Sequence, residues 1–148
     1  MTTIAYKDGI VAYDSRVSAD NLIQDDSYDK HIENQGTHFF MCGSTEDWHE
    51  YVESFCSNKN PTRDLDVSAL VLHEGNLFKS SVTKEGDGFR IWKSPIRLES
   101  ICAIGSGRDF AIMAMDLGHS AKKAIETTAN RDMWTGGLIR EFKLNDSA

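Results

Sequence analysis

The chain has 148 residues, of which 40% are apolar and 26% are charged, and this composition indicates one globular domain over residues 1–148 rather than a disordered chain. The formal net charge of -7, without any run of Lys and Arg, argues against a nucleic-acid partner. No apolar run is long enough for a membrane span or a secretory signal, so we expect a cytoplasmic protein with no membrane partner.

The first third of the chain is predicted to form β-structure. Residues 2–14 contain two short β-branched or aromatic runs around a Lys-Asp-Gly sequence, which is typical of a tight turn, so they are predicted to form a hairpin. Residues 21–24 and 28–33 are predicted to pair with each other around an Asp-Asp turn. Residues 37–42 are predicted to form a buried strand.

The periodicity becomes helical over residues 44–57. The large apolar side chains of this stretch recur at a spacing of three or four residues, which places them on one face of a helix. Ser44, followed by Asp47 three residues later, is suited to cap the first turn. We therefore predict a helix that starts at Ser44.

The second half is predicted to hold a hairpin, two more strands, a helix pair and a last strand. The predicted ranges are 67–73 and 76–81 for the hairpin, 89–93 and 101–104 for the strands, 109–117 and 120–130 for the helices, and 138–144 for the last strand. Ser120 is a suitable N-cap for the second helix of the pair. Because the helices are segregated from the strands in sequence, the order favours an α+β fold.

The three cysteines are predicted to be reduced core residues. Their number is odd, no CxxC pair is present, and each falls in a predicted strand or helix. They are Cys42, Cys56 and Cys102.

Thr2 is the first candidate catalytic residue. Removal of Met1 would leave a free α-amine beside the Thr2 hydroxyl, so that the nucleophile and its general base would belong to one residue. The ordinary pKa of an α-amine, about 7.7–8.0, suits a neutral base near pH 7. Since many proteins begin with Met-Thr, this feature alone does not indicate an enzyme.

Several motifs add to this pattern. The N-terminal Thr-Thr-Ile is followed by Gly-Ile-Val-Ala-Tyr-Asp-Ser-Arg at residues 9–16. The sequence Ala-Ile-Gly-Ser-Gly at residues 103–107 precedes the Ala-rich helix pair, and Arg-Asp-Met-Trp-Thr-Gly-Gly follows at residues 131–137. With Lys30 and Gly43 between these motifs, the chain resembles proteasome β-subunits and the bacterial HslV peptidase over nearly its whole length.

The resemblance implies both a fold and an activity. The implied fold is the four-layer αββα sandwich of the N-terminal-nucleophile hydrolases. The implied activity is that of a threonine endopeptidase, which cleaves peptides or unfolded proteins inside a homo-oligomeric ring. No cofactor would be required, and an ATP-dependent unfoldase is an expected partner.

The resemblance also implies a role for each of seven residues. Thr2 would attack the scissile carbonyl and form an ester. Lys30 would lower the proton affinity of the amine and hydroxyl, and Asp14 would hold Lys30 in place. The backbone N–H of Gly43 would face the oxyanion. The polar network around the terminal amine would consist of Ser106, Asp132 and Thr135.

Other cations are present near the N-terminus, namely Lys7 and Arg16, and either is an alternative to Lys30.

A side-chain pocket and a cation site are implied as well. The pocket would favour an apolar residue before the cut. Its implied residues are Met41 at the base and Tyr28, Ile32 and Thr45 at the walls. A structural sodium or magnesium ion would bind backbone carbonyls. The carbonyls in question are those of Ala129, Asp132 and Thr135.

Two alternatives to a peptidase stay open. The fold could serve as a catalytically inactive assembly module, or Thr2 could hydrolyse a small amide substrate, because a fold does not fix a substrate. A zinc site is disfavoured, since the His49-Glu50 sequence lacks the second histidine of HExxH. A nucleotide site is disfavoured too, because the Gly-Ser-Gly at residues 105–107 is not followed by Lys.

Overall fold

The computed structural model describes residues 2–147, and the side chains of residues 2–145. Within these residues the chain forms β-strands, three α-helices and a short 3-10 helix. The strands are β1 (Thr3–Lys7), β2 (Ile10–Tyr13), β3 (Val17–Ala19), β4 (Leu22–Asp25), β5 (His31–Asn34), β6 (Thr37–Gly43), β7 (Val67–His73), β8 (Asn76–Glu85), β9 (Gly88–Ile96), β10 (Cys102–Gly105) and β11 (Arg140–Lys143). The helices are α1 (Thr45–Ser57), α2 (Arg108–Asp116), α3 (Ala121–Thr128) and the 3-10 helix (Leu144–Ser147).

The strands form two main antiparallel sheets and a separate hairpin. The four-stranded sheet has the order β10-β1-β2-β11, so the N-terminal strand lies in its interior. The five-stranded sheet follows the chain in the order β5-β6-β7-β8-β9. The α+β class is confirmed, and so is the order of strands, one helix, strands, two helices and a last strand.

The predicted pairing of residues 21–24 with residues 28–33 is wrong. β4 pairs with β3, and β5 pairs with β6. The chain reverses at Asp20, which adopts a left-handed φ of 55°, and not at the Asp-Asp sequence that follows β4. Asp26 instead accepts hydrogen bonds from the Arg16 guanidinium at 2.9 and 3.1 Å, so this segment is held in a loop.

The main core lies between the two sheets. Side chains of β1 and β2, such as Ile4 and Tyr6, pack against Phe40 of β6 and Leu70 of β7. All four are fully buried or nearly so. The Tyr6 hydroxyl donates to the carbonyl of Leu98 at 2.7 Å, which satisfies the polar end of an otherwise apolar side chain.

The helices cover the outer faces of the two sheets. Alternate residues of β1 and β2, among them Ala5 and Ala12, face α2 and α3, which contribute further alanines such as Ala111 and Ala124. These small side chains let the helices approach the sheet closely. Residues of α1 pack against β6 and β7 in a third cluster, whose members include Trp48, Tyr51, Phe39 and Met41. None of the helices formed by the described residues is long and apolar enough to cross a membrane.

The four-stranded sheet passes into α2 through a tight Gly-Ser corner. Gly105 has a φ of 100°, and a Cβ atom added to it would lie 1.8 Å from the carbonyl oxygen of Thr2. The N–H of Ser106 donates to the same oxygen at 2.8 Å. Only glycine fits this close approach, and the corner fixes the backbone of Thr2.

The five-stranded sheet passes into α1 through a matching corner. Gly43 has a φ of 101°, an added Cβ would lie 2.1 Å from the carbonyl oxygen of Asp66, and the N–H of Ser44 donates to that oxygen at 2.9 Å.

The two predicted helix caps differ in outcome. Ser44 stands at the N-cap of α1, but the predicted capping contact is absent among the described residues, because the Ser44 hydroxyl donates to the Asp66 carboxylate at 2.9 Å. The predicted cap of α3 is confirmed: Ser120 accepts from the N–H of Lys123 at 3.1 Å.

Two histidines stand beside the contact between the sheets. His31 of β5 and His38 of β6 have ring nitrogens 2.9 Å apart, and both rings contact Phe142 of β11. His31 also stacks on Phe40 of the main core. Burial, together with the neighbouring His38, lowers the pKa of His31 below its ordinary value of 6.5, although Asp29 and Glu33 oppose this.

Truncation of the main core should be strongly destabilising. We expect Phe40→Ala to lower the free energy of unfolding by about 3–5 kcal/mol, because it removes a fully buried ring from between the sheets. Urea unfolding followed by circular dichroism measures this value. The control is Leu22→Ala on β4, where the side chain is 69% exposed and the expected loss is below about 1 kcal/mol.

Acid should weaken the fold through His31. Because the folded protein binds a proton at His31 less readily than the unfolded chain does, stability is expected to fall as the pH drops below about 6.5. Urea midpoints measured between pH 5 and pH 8 should show a shallower fall in His31→Gln. The control is His119→Gln, which changes an exposed histidine between α2 and α3, and its fall should be steeper than that of His31→Gln. Equal profiles for both variants would contradict the assignment.

Candidate active site

The fold brings the predicted nucleophile, lysine and aspartate together. Thr2 directly precedes β1, Asp14 directly follows β2, and Lys30 directly precedes β5. The pairing of β1 with β2 places Asp14 beside Thr3, whose N–H donates to the Asp14 carboxylate at 3.2 Å. The lysine therefore comes from the five-stranded sheet and the other two residues from the four-stranded sheet.

A buried ion pair forms the centre of the site. The Lys30 ammonium donates to the Asp14 carboxylate at 2.8 Å, and the side chains of Lys30 and Asp14 are 1% and 0% exposed. The ammonium also donates to the Thr2 hydroxyl oxygen. Of the three cations near the N-terminus, Lys30 is thus the one in contact with Thr2; the ammonium of Lys7 donates to carbonyls of Met115 and His119 instead.

The Asp14 carboxylate is held by backbone donors as well. Its second oxygen accepts from the N–H of Gly136 at 3.0 Å and from the N–H of Arg16 at 3.4 Å. A Cβ atom added to Gly136 would lie 2.5 Å from the Arg16 guanidinium, so a side chain here would displace that guanidinium. The loop that contains Gly136 therefore orients Asp14, and Asp14 orients Lys30.

Burial shifts the pKa values of both charged groups. It lowers the pKa of the Lys30 ammonium, while the ion pair with Asp14 opposes that change. It raises the pKa of the Asp14 carboxyl, and Lys30 is the largest opposing influence there. Lys30 consequently releases a proton more readily than a solvated lysine does, while it remains in hydrogen-bond contact with the Thr2 oxygen.

A second polar network contacts the backbone carbonyl of Thr2. The hydroxyls of Ser106 and Thr135 each donate to the same Asp132 carboxylate oxygen at 2.6 Å. Ser106 also holds the carbonyl of Thr2 through its N–H at 2.8 Å. The structure thus brings these three predicted residues together; Met1 lies outside the described residues, so their relation to a terminal amine stays a prediction.

Thr3 belongs to this network too, although no role was predicted for it. Its hydroxyl lies 2.6 Å from the Thr135 hydroxyl, and both residues are fully buried. Because Thr135 donates to Asp132, the Thr3 hydroxyl can donate to Thr135 and complete a chain of three hydrogen bonds with Ser106 at its other end. The signal for Thr3 was the repeated threonine in the N-terminal Thr-Thr-Ile.

An open cleft of about 410 Å³ lies beside Thr2. Lys30, Gly43 and Thr45 line it, so the predicted oxyanion donor and one predicted pocket residue share the cleft with the nucleophile. Trp48 of α1, one of the large apolar side chains that recur at helical spacing, lines it too.

The other three predicted pocket residues lie around Trp48 and the third core cluster. Tyr28 packs edge-on against Trp48 with ring centroids 5.9 Å apart. Met41 is fully buried in the cluster beneath α1, and Ile32 packs against that cluster. Their contact with a substrate stays a prediction.

The predicted cation site depends on backbone oxygens alone. No group of three or more His, Cys, Asp or Glu side chains within residues 2–147 is placed to hold a metal ion. The Asp132 carboxylate already accepts hydrogen bonds from Ser106, Thr135 and Trp134, and its carbonyl accepts from the N–H of Thr135 at 3.1 Å. Sodium and magnesium prefer oxygen ligands, so the carbonyls of this turn suit them in kind, and an ion at this place stays a prediction.

The sequence itself has no match among family models or among curated proteins. Solved structures do match over almost the whole chain. Thiobacillus denitrificans BPH in complex with epoxomicin has a TM-score of 0.66 at 15% identity, with 97% of this chain and 98% of that chain covered. A second structure of the same protein has a TM-score of 0.67 at 16% identity, with 97% of each chain covered.

Eukaryotic HslV from Trypanosoma brucei is similar to the same degree. Its TM-score is 0.66 at 18% identity, and the alignment covers 95% of this chain and 97% of that chain. At these identities the likeness concerns the fold and not the activity. The chain has the fold of the HslV and proteasome β-subunit type.

Proposed function

We propose that the protein is a threonine peptidase in which Thr2, freed by removal of Met1, hydrolyses peptide bonds. The observation that carries this proposal is the contact of the buried Lys30 ammonium with both the Thr2 hydroxyl oxygen and the Asp14 carboxylate. The Lys30 side chain is only 1% exposed, and burying a charged group is unfavourable unless the group is paired. Packing therefore does not explain why a lysine lies beside the Thr2 hydroxyl. An N-terminal nucleophile needs such a cation to lower the proton affinity of its hydroxyl.

The proposed reaction has two halves. In the first, the α-amine of Thr2 takes the hydroxyl proton, Oγ attacks the scissile carbonyl carbon, and the backbone N–H of Gly43 donates to the oxyanion. The C–N bond then breaks, the proton passes to the leaving amine, and an ester on Thr2 remains. In the second half water attacks the ester, which releases the acid and restores the hydroxyl.

We further propose the four-layer αββα arrangement of the N-terminal-nucleophile hydrolases and assembly into a homo-oligomeric ring. The layers are supported by the three core clusters, one between the sheets and one under each set of helices. Assembly is supported by the exposed apolar side chains along α2 and its end, since single domains seldom leave such a row uncovered. These side chains are Phe110, Met113 and Leu117. An ATP-dependent unfoldase as partner stays a prediction from the family resemblance.

Thr2 should carry the activity. Intact mass should show the loss of Met1, and a peptide epoxyketone should add one equivalent at Thr2. Thr2→Ala should abolish both the adduct and the hydrolysis of fluorogenic peptides. Thr127→Ala, which removes a hydroxyl from the exposed face of α3, should retain both. A mature protein that keeps Met1, or a wild type without adduct and turnover, would leave the inactive assembly module as the better account.

Lys30 should be needed in its charged form. We expect Lys30→Met to lower kcat/KM by about 10²–10⁴, the usual range for loss of a group that assists proton transfer. The matched control is Lys122→Met on the exposed side of α3, which should leave kcat/KM unchanged.

The same lysine should set the alkaline limit of activity. Because burial lowers the pKa of Lys30, the wild-type kcat/KM should begin to fall at a pH below the ordinary lysine value of 10.5. Activity at constant ionic strength between pH 6 and pH 11 measures this limb. A profile that stays flat up to pH 11 would show that the charge on Lys30 is not required.

A further inference from the structure

The cations that line the cleft beside Thr2 are already paired. Lys30 is neutralised by Asp14 at 2.8 Å. The Arg16 guanidinium donates to both carboxylate oxygens of Asp26 at 2.9 and 3.1 Å and also to the carbonyl of Met133. Neither cation therefore contributes an unbalanced positive charge to the cleft.

The two carboxylates that line the cleft are not balanced in this way. Glu46 lies in the first turn of α1, Asp66 directly precedes β7 and contacts Ser44 at the start of that helix, and both carboxylates are exposed. Within residues 2–147 neither makes an ion pair; Asp66 accepts a hydrogen bond from the neutral Ser44 hydroxyl, and the nearby Arg63 is bound to Asp47 and Glu50. With the paired cations cancelled, the cleft carries a net negative charge.

The cleft wall also has an apolar part with a buried donor that lacks a partner. Val17, Ala19 and Trp48 line it together with the two carboxylates. Trp48 is 3% exposed, and its indole N–H has no hydrogen-bond partner among the described residues. Because that N–H is itself inaccessible, it is not offered to a peptide in the cleft, and the apolar part of the wall can recognise a substrate only by packing.

We propose that this cleft selects peptides with a lysine or arginine side chain next to the bond that is cut. The inference rests on the proposed function, and it departs from the apolar preference that the family resemblance implies. A basic side chain matches the wall in both parts, because its aliphatic stem packs on Trp48 and Val17 while its charged end reaches Glu46 or Asp66. Both cations of the described lining, Lys30 and Arg16, are held in ion pairs, so neither is available to favour an acidic side chain.

The size of the preference follows from the exposure of the carboxylates. An exposed ion pair contributes about 0.2–1 kcal/mol, which is up to about fivefold in affinity. We therefore expect about threefold from each carboxylate and about tenfold from the two together. Salt should reduce the preference, because exposed charges are screened.

The test compares two fluorogenic peptides that are identical except for lysine or norleucine before the leaving group. Norleucine keeps the stem and removes only the ammonium. Wild type should show a kcat/KM about tenfold higher for lysine. Glu46→Gln and Asp66→Asn should each lower the ratio about threefold, and the double variant should bring it close to one.

The matched control is Glu53→Gln, which also removes one negative charge from α1 but lies away from the cleft. Its ratio should equal that of wild type, which separates local charge from the net charge of the protein. A wild-type ratio at or below one, or a ratio that the double variant leaves unchanged, would overturn the proposal.

Failure of the peptidase itself would be seen separately. If neither peptide is hydrolysed and no epoxyketone adds at Thr2, the selectivity is tested by binding alone. Fluorescence anisotropy then measures how tightly fluorescein-labelled lysine and norleucine peptides bind to the full chain with Thr2→Ala. Tighter binding of the lysine peptide that is lost in the Glu46→Gln/Asp66→Asn background would support the selectivity without the hydrolysis. Equal binding of the two peptides would overturn it.

Discussion

The buried ion pair between Lys30 and Asp14 is the constraint on which the site depends. Removing two charges from water costs several kcal/mol per ion, and only close geometry with additional donors offsets it. Those donors are the backbone N–H groups of Thr3, Arg16 and Gly136. The pair therefore connects four segments, namely the start of β1, the end of β2, the segment before β5 and the loop before β11. A shift in any of these segments would leave one of the two charges poorly compensated.

Each sheet contributes different residues to the surroundings of Thr2. The four-stranded sheet supplies Thr2 and Asp14 and fixes the Thr2 carbonyl through Ser106. The five-stranded sheet supplies Lys30 and the glycine that lines the cleft, Gly43. Since the main core holds the sheets face to face, packing between them sets the distance from the lysine to the hydroxyl. Reactivity at Thr2 and stability of the core are consequently linked.

Local patterns in the sequence predicted most of the fold, because hairpins and amphipathic helices depend on neighbouring residues. The predicted strand pairing was wrong at β3 and β4, because the turn that joins these strands lies at Asp20 and not at the Asp-Asp sequence. Asp20 has a left-handed φ, which the sequence pattern did not indicate. The contact of Lys30 with Asp14 joins residues far apart in sequence, so only the family resemblance suggested it. Trp48 has the helical spacing of a core residue, and nothing in that spacing reveals that the residue also lines the cleft.

The two Gly-Ser corners suggest how distant relatives of this chain can be recognised. In each, a glycine with φ near 100° ends a strand against a carbonyl oxygen, and the following serine binds that oxygen through its N–H. The oxygen belongs to Thr2 in one corner and to Asp66 in the other. A steric exclusion of this kind acts on the backbone and persists when side chains diverge. At the 15–18% identity of the similar solved structures, we expect the two corners to give an alignment fixed points that core residues, which exchange among apolar types, do not.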